Sequence, residues 1–157
     1  MTTRIMVPVK GTQDVGIIAP SLQTLIDRGG VGKVTLVRVA PFAPAVAVDF
    51  ALEYADVMAA DEARREEARV VLRSLAEKIS WGSTDHELVA LLGDETDALA
   101  RFAAARSFDS VLLVSRRHSR LRRIVAGNLS DRILDTVCIP ITVLPCPECV
   151  HPLGMSV

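Results

Sequence analysis

Five short apolar runs alternate along this chain with longer segments of helical periodicity, and this alternation restricts the fold more than any other feature. Three of the runs are almost continuously apolar, which is typical of strands covered on both faces. Such an order predicts right-handed crossovers and an open parallel sheet with helices on both faces, that is, an α/β fold. The predicted strands are Arg4–Val9, Lys33–Val39, Glu87–Leu92 (or one or two residues earlier), Ser110–Ser115 and Ile139–Leu144.

The segments between these runs show the pattern of amphipathic helices, with apolar residues recurring every three or four positions. Asp94 stands where an N-cap would begin one of them. The first helix contains Pro20, which lacks the N–H that a helix interior needs, so we expect it to start late, near Ala19, or to kink. The predicted helices are a first one beginning near Asp14, then Asp56–Ile79, Asp94–Arg106 and Asn128–Val137.

Charge and hydropathy exclude several classes of protein. The formal net charge of −1 over 157 residues is too balanced for general nucleic-acid binding, which depends on an excess of cations. No segment is long and apolar enough for a membrane helix, and the N-terminal MTTRIMVPVK lacks the apolar run of a signal peptide. We therefore expect a cytoplasmic protein with no nucleic-acid or membrane partner. Cys138, at the entrance to the last strand, is expected to be a buried small apolar residue.

Two segments leave the ends of predicted strands with glycine, and open parallel sheets bind their ligands at such ends. The first is Val9-Lys10-Gly11-Thr12. The second carries five arginines between residues 116 and 123 and leads to Gly127-Asn128 at a predicted helix start. Free N–H groups at a helix start attract anions, and arginines add bidentate contacts to phosphate. The arginine segment is therefore interpreted either as a solvated basic loop or as a site for phosphate, a nucleotide or an acidic partner.

Four stretches, IMVPVKGT, GDETDALARFA, DSVLLVSRRHSRLRRIVAGNLSDRIL and CIPITVLP, occur in this order over residues 4–145. Together they resemble the universal stress protein family. The resemblance implies a Rossmann-like five-stranded sheet with the order 3-2-1-4-5, and a homodimer formed through the last strand, Ile139–Leu144. It also implies one domain over residues 1–145, followed by a C-terminal tail at residues 146–157.

Some members of that family bind ATP through a signature of Gly, two residues, Gly, nine residues and then Gly followed by Ser or Thr. Counted back from Gly127, the two earlier glycines are replaced by Arg117 and Val114, and Asn128 replaces the hydroxyl residue. Glycine at such positions lets the backbone approach phosphates without a Cβ in the way. Lys10 stands where ATP-binding members carry an acidic residue that meets the adenine, and an ammonium group can only donate hydrogen bonds.

A nucleotide or anion, where one binds, is expected at the strand ends and the start of the last helix. Lys10 alternatively pairs with an acidic neighbour or a helix C-terminus. The candidate binding residues are Pro8, Val9, Lys10, Val39, Val114, Ser115, Arg117, Gly127, Asn128 and Leu129.

The leading functional hypothesis is a non-enzymatic stress-response or regulatory protein that acts through a protein partner, needs no cofactor and has lost or altered the family's ATP binding. The alternative is a switch that binds ATP or another adenine nucleotide and hydrolyses it slowly with a modified arginine-rich loop. A third hypothesis concerns Cys146-Pro147-Glu148-Cys149 and His151, which offer three zinc ligands and need a fourth from elsewhere. The same residues are otherwise a tail with two incidental thiols.

Overall fold

The computed structural model describes residues 2–42, 54–115, 132–133 and 135–145. Within these residues five strands form one sheet in which every pair is parallel. The strands are β1 Thr3–Pro8, β2 Val31–Ala40, β3 Asp85–Leu92, β4 Ser110–Ser115 and β5 Ile141–Pro145. Their order in the sheet is β3-β2-β1-β4-β5. The α/β fold read from the alternation is confirmed, and so is the strand order implied by the resemblance.

Helices cover both faces of the sheet, as predicted. They are α1 Thr12–Asp27, α2 Tyr54–Ala76 and α3 Glu95–Ala105, and residues 132–133 and 135–137 of the predicted Asn128–Val137 are also helical. α1 and α2 pack on one face, and α3 packs on the other. Met6 and Val7 are neighbours in β1 and point into opposite cores, because successive side chains of a strand alternate between its faces. Among the helices that the structure describes, none is long and apolar enough to cross a membrane.

Helix α1 differs from its prediction. It begins at Thr12 and continues through Pro20, so the expected start near Ala19 is wrong. Burial of a large aliphatic side chain is worth about 1.5–3 kcal/mol, and several such side chains together outweigh the roughly 3 kcal/mol that a proline costs inside a helix. The buried residues of the apolar face are Val15, Ile18, Ala19 and Leu22.

The last strand also differs, because the predicted Ile139–Leu144 starts two residues too early. Cys138 has a φ of 50°, in the left-handed region, and the chain turns there between the preceding helix and the strand. Ile139 still packs into the core on the α3 face, and the carbonyl of Pro140 accepts a hydrogen bond from β4. Cys138 itself is exposed, so the expectation that it is buried is wrong.

The strand order reverses at β1, which pairs with β2 on one side and with β4 on the other. From β1 the chain builds outward to β2 and β3, and then crosses back to add β4 and β5. Because all strands are parallel, their carboxyl ends share one edge, and open sheets of this kind bind ligands on that edge at the point where the strand order reverses. The fold therefore places the segment after Pro8 at the point where such sheets bind ligands.

Candidate functional site

The segment that leaves β1 keeps its hydrogen bonding to β2 for one residue beyond the strand. The N–H of Val9 donates to the carbonyl of Val37 at 2.8 Å, which continues the pairing with β2. Pro8 and Val9 are both buried, and Val9 packs in the core on the α1 face. These two candidate residues are therefore part of the packed interior beneath the site. Lys10 is the first residue of the segment whose side chain reaches solvent.

Lys10 is bound to the rest of the protein through three of its groups. Its backbone N–H donates to Asp14 Oδ2 at 2.8 Å, and its carbonyl accepts a hydrogen bond from the Arg38 guanidinium. Its ammonium Nζ lies 3.8 Å from Glu95 Oε2, with both side chains about 40% exposed (37% and 41%). Lys10 therefore has the acidic neighbour that the sequence offered as one of its alternatives.

Asp14 fixes the backbone of this segment. It lies in the first turn of α1 and is only 1% exposed, and its carboxylate reaches back to the N–H of Lys10. Gly11 is the N-cap of α1 and supplies no side-chain hydrogen bond; the carboxylate of Asp14, three residues later, fixes the helix entry through the N–H of Lys10, the residue before the N-cap. A carboxylate near the positive end of the helix dipole is also favourable.

Arg38 and Glu95 were missed by the sequence reasoning. Arg38 lies in β2, two residues before its end, and Glu95 is the first residue of α3. A charged residue inside the apolar run KVTLVRV was a signal that this position lies at the end of the sheet rather than in its interior. Nothing in the sequence indicated that Arg38 would bind the Lys10 carbonyl, because that contact depends on how β1 and β2 pair.

The other described candidates lie at the same edge on different faces of the sheet. Val39 packs against the core on the α3 face, and Val114 packs against the core on the α1 face. Ser115 is the last residue of β4 and lies opposite Pro145 of β5. The structure thus brings Lys10 and Arg38 into contact, whereas Val39 and Val114 lie on opposite faces of the sheet.

Several predicted residues lie outside the described part of the chain. These are Arg117, Gly127, Asn128, Leu129, Cys146, Cys149 and His151. Within the described residues, no group of three His, Cys, Asp or Glu side chains is placed to hold a metal ion. The zinc hypothesis for the tail therefore stays a prediction from sequence.

Comparison with known proteins agrees with this architecture. The sequence profile of the universal stress protein family matches residues 1–145, while no curated protein sequence matches the chain. The fold is similar to that of UspA from Lactobacillus plantarum, with a TM-score of 0.64 and 16% identity over 90% of this chain and 97% of that one.

Two further similar structures were solved with nucleotides. A universal stress protein in complex with cAMP has a TM-score of 0.59 and 15% identity, over 90% of this chain and 95% of that one. A universal stress protein family protein from Arabidopsis thaliana with AMP bound has a TM-score of 0.51 and 13% identity, over 97% of both chains. At these identities the likeness establishes the fold.

Proposed function

The chain belongs to the universal stress protein family, and from that premise we propose that it is a non-enzymatic regulatory member that acts through a protein partner. We further propose that it does not hold ATP in the family's manner. The observation that carries this proposal is the state of Lys10, the residue at the end of β1 where the sheet order reverses. Its N–H, its carbonyl and its ammonium all contact groups of the protein itself.

What hinders adenine binding is a missing hydrogen-bond acceptor, and not the ion pair between Lys10 and Glu95. An ion pair as exposed as Lys10–Glu95 is worth about 1 kcal/mol or less, so a ligand could displace it. An adenine amino group, however, needs an acceptor, and the Lys10 side chain has only donors. The Lys10 carbonyl already uses one of its two lone pairs on Arg38, and Val114 and Arg117 remove two glycines of the ATP signature.

Isothermal titration calorimetry with Mg²⁺-ATP, AMP and cAMP tests this proposal. We expect no binding heat from the wild-type protein with any of the three nucleotides. Lys10→Asp supplies an acceptor, and we expect it to bind AMP measurably. Lys78→Asp makes the same change of charge at an exposed position in the turn after α2 and should bind none.

Micromolar binding of ATP by the wild-type protein would refute the proposal. Such binding would also stabilise the fold by about 2.7 kcal/mol at a hundredfold excess over the dissociation constant, so thermal unfolding gives an independent reading. Binding by Lys78→Asp equal to that by Lys10→Asp would show that net charge, and not the missing acceptor, decides affinity.

The second candidate function is an adenine-nucleotide switch with slow hydrolysis. It is favoured by the two structures of similar fold that hold cAMP and AMP. Monophosphates need fewer phosphate contacts than ATP and so depend less on the lost glycines. If AMP or cAMP binds the wild-type protein while ATP does not, the protein is a nucleotide switch without ATP hydrolysis. If ATP binds as well, the candidate with hydrolysis replaces the first, and release of phosphate from ATP measures the hydrolysis directly.

We also propose that the protein forms a homodimer through its last strand. Within the described residues β5 lies at one end of the sheet order, and its Val143 is 54% exposed, an arrangement that leaves an apolar edge for a second copy. Sedimentation analysis of the wild-type protein should give a dimer. Val143→Lys should give a folded monomer, whereas a wild-type monomer, or a dimer unaffected by the substitution, would contradict this interface.

A further inference from the structure

A cavity lies beside the candidate site, where β3 ends and α3 begins. Its volume is about 500 Å³, within the range of roughly 300–1,000 Å³ that is common for small-molecule sites. Leu91 lies at the strand end, and Ala98 and Phe102 are one turn apart on α3, with Phe42 on the opposite side. None of the residues that line the cavity is among those predicted to bind a nucleotide.

Gly93 forms part of the cavity wall. Its N–H donates to the carbonyl of Ala40 at 2.9 Å, which holds the end of β3 against β2. Its φ of 133° is strained for any residue with a Cβ, and a Cβ built there would approach the Phe42 ring to 3.7 Å. The backbone therefore passes along the cavity wall without a side chain to fill it.

Two phenylalanine rings on the cavity wall keep exposed surface. The Phe42 side chain is 61% exposed, although a phenyl ring gains about 1.5–3 kcal/mol when it is fully buried. Phe102 is only half-buried. The centroid of its ring lies 5.8 Å from the ring centroid of Phe108 and 4.9 Å from the guanidinium carbon of Arg106. A flat apolar group lying between Phe42 and Phe102 would cover both rings.

The rim of the cavity carries one cation that can bind an anion, Arg101. Two carboxylates line the cavity, but both are bound within the protein: Asp94 accepts from the N–H of Asp97 at 3.0 Å as the N-cap of α3, and Asp97 pairs with Arg132. Arg101 lines the same cavity and is exposed. Among the described residues it has no ion-pair partner, so its guanidinium can bind a ligand at this rim.

We propose that this cavity binds a small aromatic carboxylate, with its ring between Phe42 and Phe102 and its carboxylate on Arg101. A guanidinium pairs with a carboxylate through two parallel hydrogen bonds, which fix the orientation of the ligand as well as its charge. The binding energy is divided between an apolar contact and one charged contact, so the two can be removed separately.

The test uses 2-naphthoate as the anionic probe and 2-naphthamide as its neutral counterpart, each titrated into the full chain by calorimetry. We expect Arg101→Gln to weaken naphthoate binding about tenfold or more, as loss of a charge-assisted hydrogen bond implies, and to leave naphthamide binding unchanged. Ala98→Leu places a larger side chain in the cavity and should weaken both probes. Arg28→Gln removes an exposed arginine at the end of α1, on the opposite face of the sheet, and should change neither.

Circular dichroism and thermal unfolding confirm that each variant is folded before its affinity is compared. Absence of naphthoate binding to the wild-type protein at millimolar concentration would overturn the proposal. Equal naphthoate affinity in the wild-type protein and Arg101→Gln would overturn the assigned role of the guanidinium. Equal affinity in the wild-type protein and Ala98→Leu would place the probe elsewhere on the molecule and overturn the site.

Discussion

The carboxylate of Glu87 in β3 forms ion pairs with two basic side chains, and removing its charge should change the stability of the fold in a way that depends on pH. Arg106 Nη1 lies 2.8 Å from each of its carboxylate oxygens, and Lys33 Nζ lies 3.0 Å from Oε2. The hydrogen bond from Arg106 lowers the pKa of Glu87 below its ordinary value, partial burial opposes this, and Lys33 lowers the pKa further. Glu87→Gln keeps the shape of the side chain and removes its charge.

The size of the effect follows from exposure. The three side chains are 30–40% exposed, and ion pairs at such positions contribute about 0.2–1 kcal/mol each. With two pairs, and with screening by solvent, we expect Glu87→Gln to lower the free energy of unfolding by about 1 kcal/mol at neutral pH. For a domain of this length that corresponds to a melting temperature lower by about 2–4 °C.

The sign of the pH dependence follows from the lowered pKa. Between the pKa values of the folded and unfolded states the unfolded chain binds more protons, so the stability contributed by Glu87 increases with pH over that interval. The contribution is complete above the unfolded-state pKa and is lost as the pH falls through the folded-state value. The wild-type protein should therefore exceed Glu87→Gln in stability at pH 6–8; the difference should shrink once the pH falls below the ordinary glutamate pKa of about 4.3 and vanish below the lowered folded-state pKa.

Urea unfolding followed by the fluorescence of Trp81 measures this difference. Trp81 is the chain's single tryptophan, and its ring stacks on His86 with centroids 4.3 Å apart, so unfolding will change its emission. Glu77→Gln at an exposed position after α2 is the matched control. A stability difference that persists unchanged at pH 3.5, or an equal loss in Glu77→Gln, would refute the assignment of the effect to these ion pairs.

Three further predictions concern stability, and each is measured by urea unfolding at pH 7. Pro20→Ala should stabilise the protein by about 1–2 kcal/mol, because alanine supplies the missing helical N–H and fits the helix interior better; a loss of stability would mean that α1 is not a regular helix at this point. Cys138→Gly should be neutral or stabilising by up to about 1 kcal/mol, since the φ of 50° suits glycine, and a loss beyond 1 kcal/mol would contradict that reasoning. Leu99→Ala should destabilise by about 2–5 kcal/mol because Leu99 is fully buried beneath α3, and a loss below 1 kcal/mol would place it outside the core.

Helix α3 shows how far local pattern could predict this fold. Its N-cap, Asp94, follows from the residue type and its place before a helical pattern, and the structure confirms it. Pro20 shows the limit of the same reasoning. Whether a proline ends a helix depends on the apolar area that the rest of the helix buries, and the local pattern does not report that area.

The candidate site was predictable only in part. Lys10 could be singled out because it follows an apolar strand and precedes a glycine. Its contact with Arg38 joins residues 28 positions apart, and its contact with Glu95 joins the end of the first strand to the start of α3. Such contacts are set by which strands are neighbours, so the periodicity of a single segment carries no information about them.

The sequence by itself determined the class of fold, because the alternation of apolar strands and amphipathic helices is a local property that each segment expresses independently. It also determined which chemistry is missing from the ATP signature, since Lys10, Val114 and Arg117 are identities that no folding can change. The tertiary structure alone decided that Lys10 is bound through three of its groups, and that Arg101, Phe42 and Phe102 surround one cavity. Those arrangements arise when the sheet brings together the ends of separate strands, because burial and hydrogen bonding are satisfied by the whole chain rather than by any one of its segments.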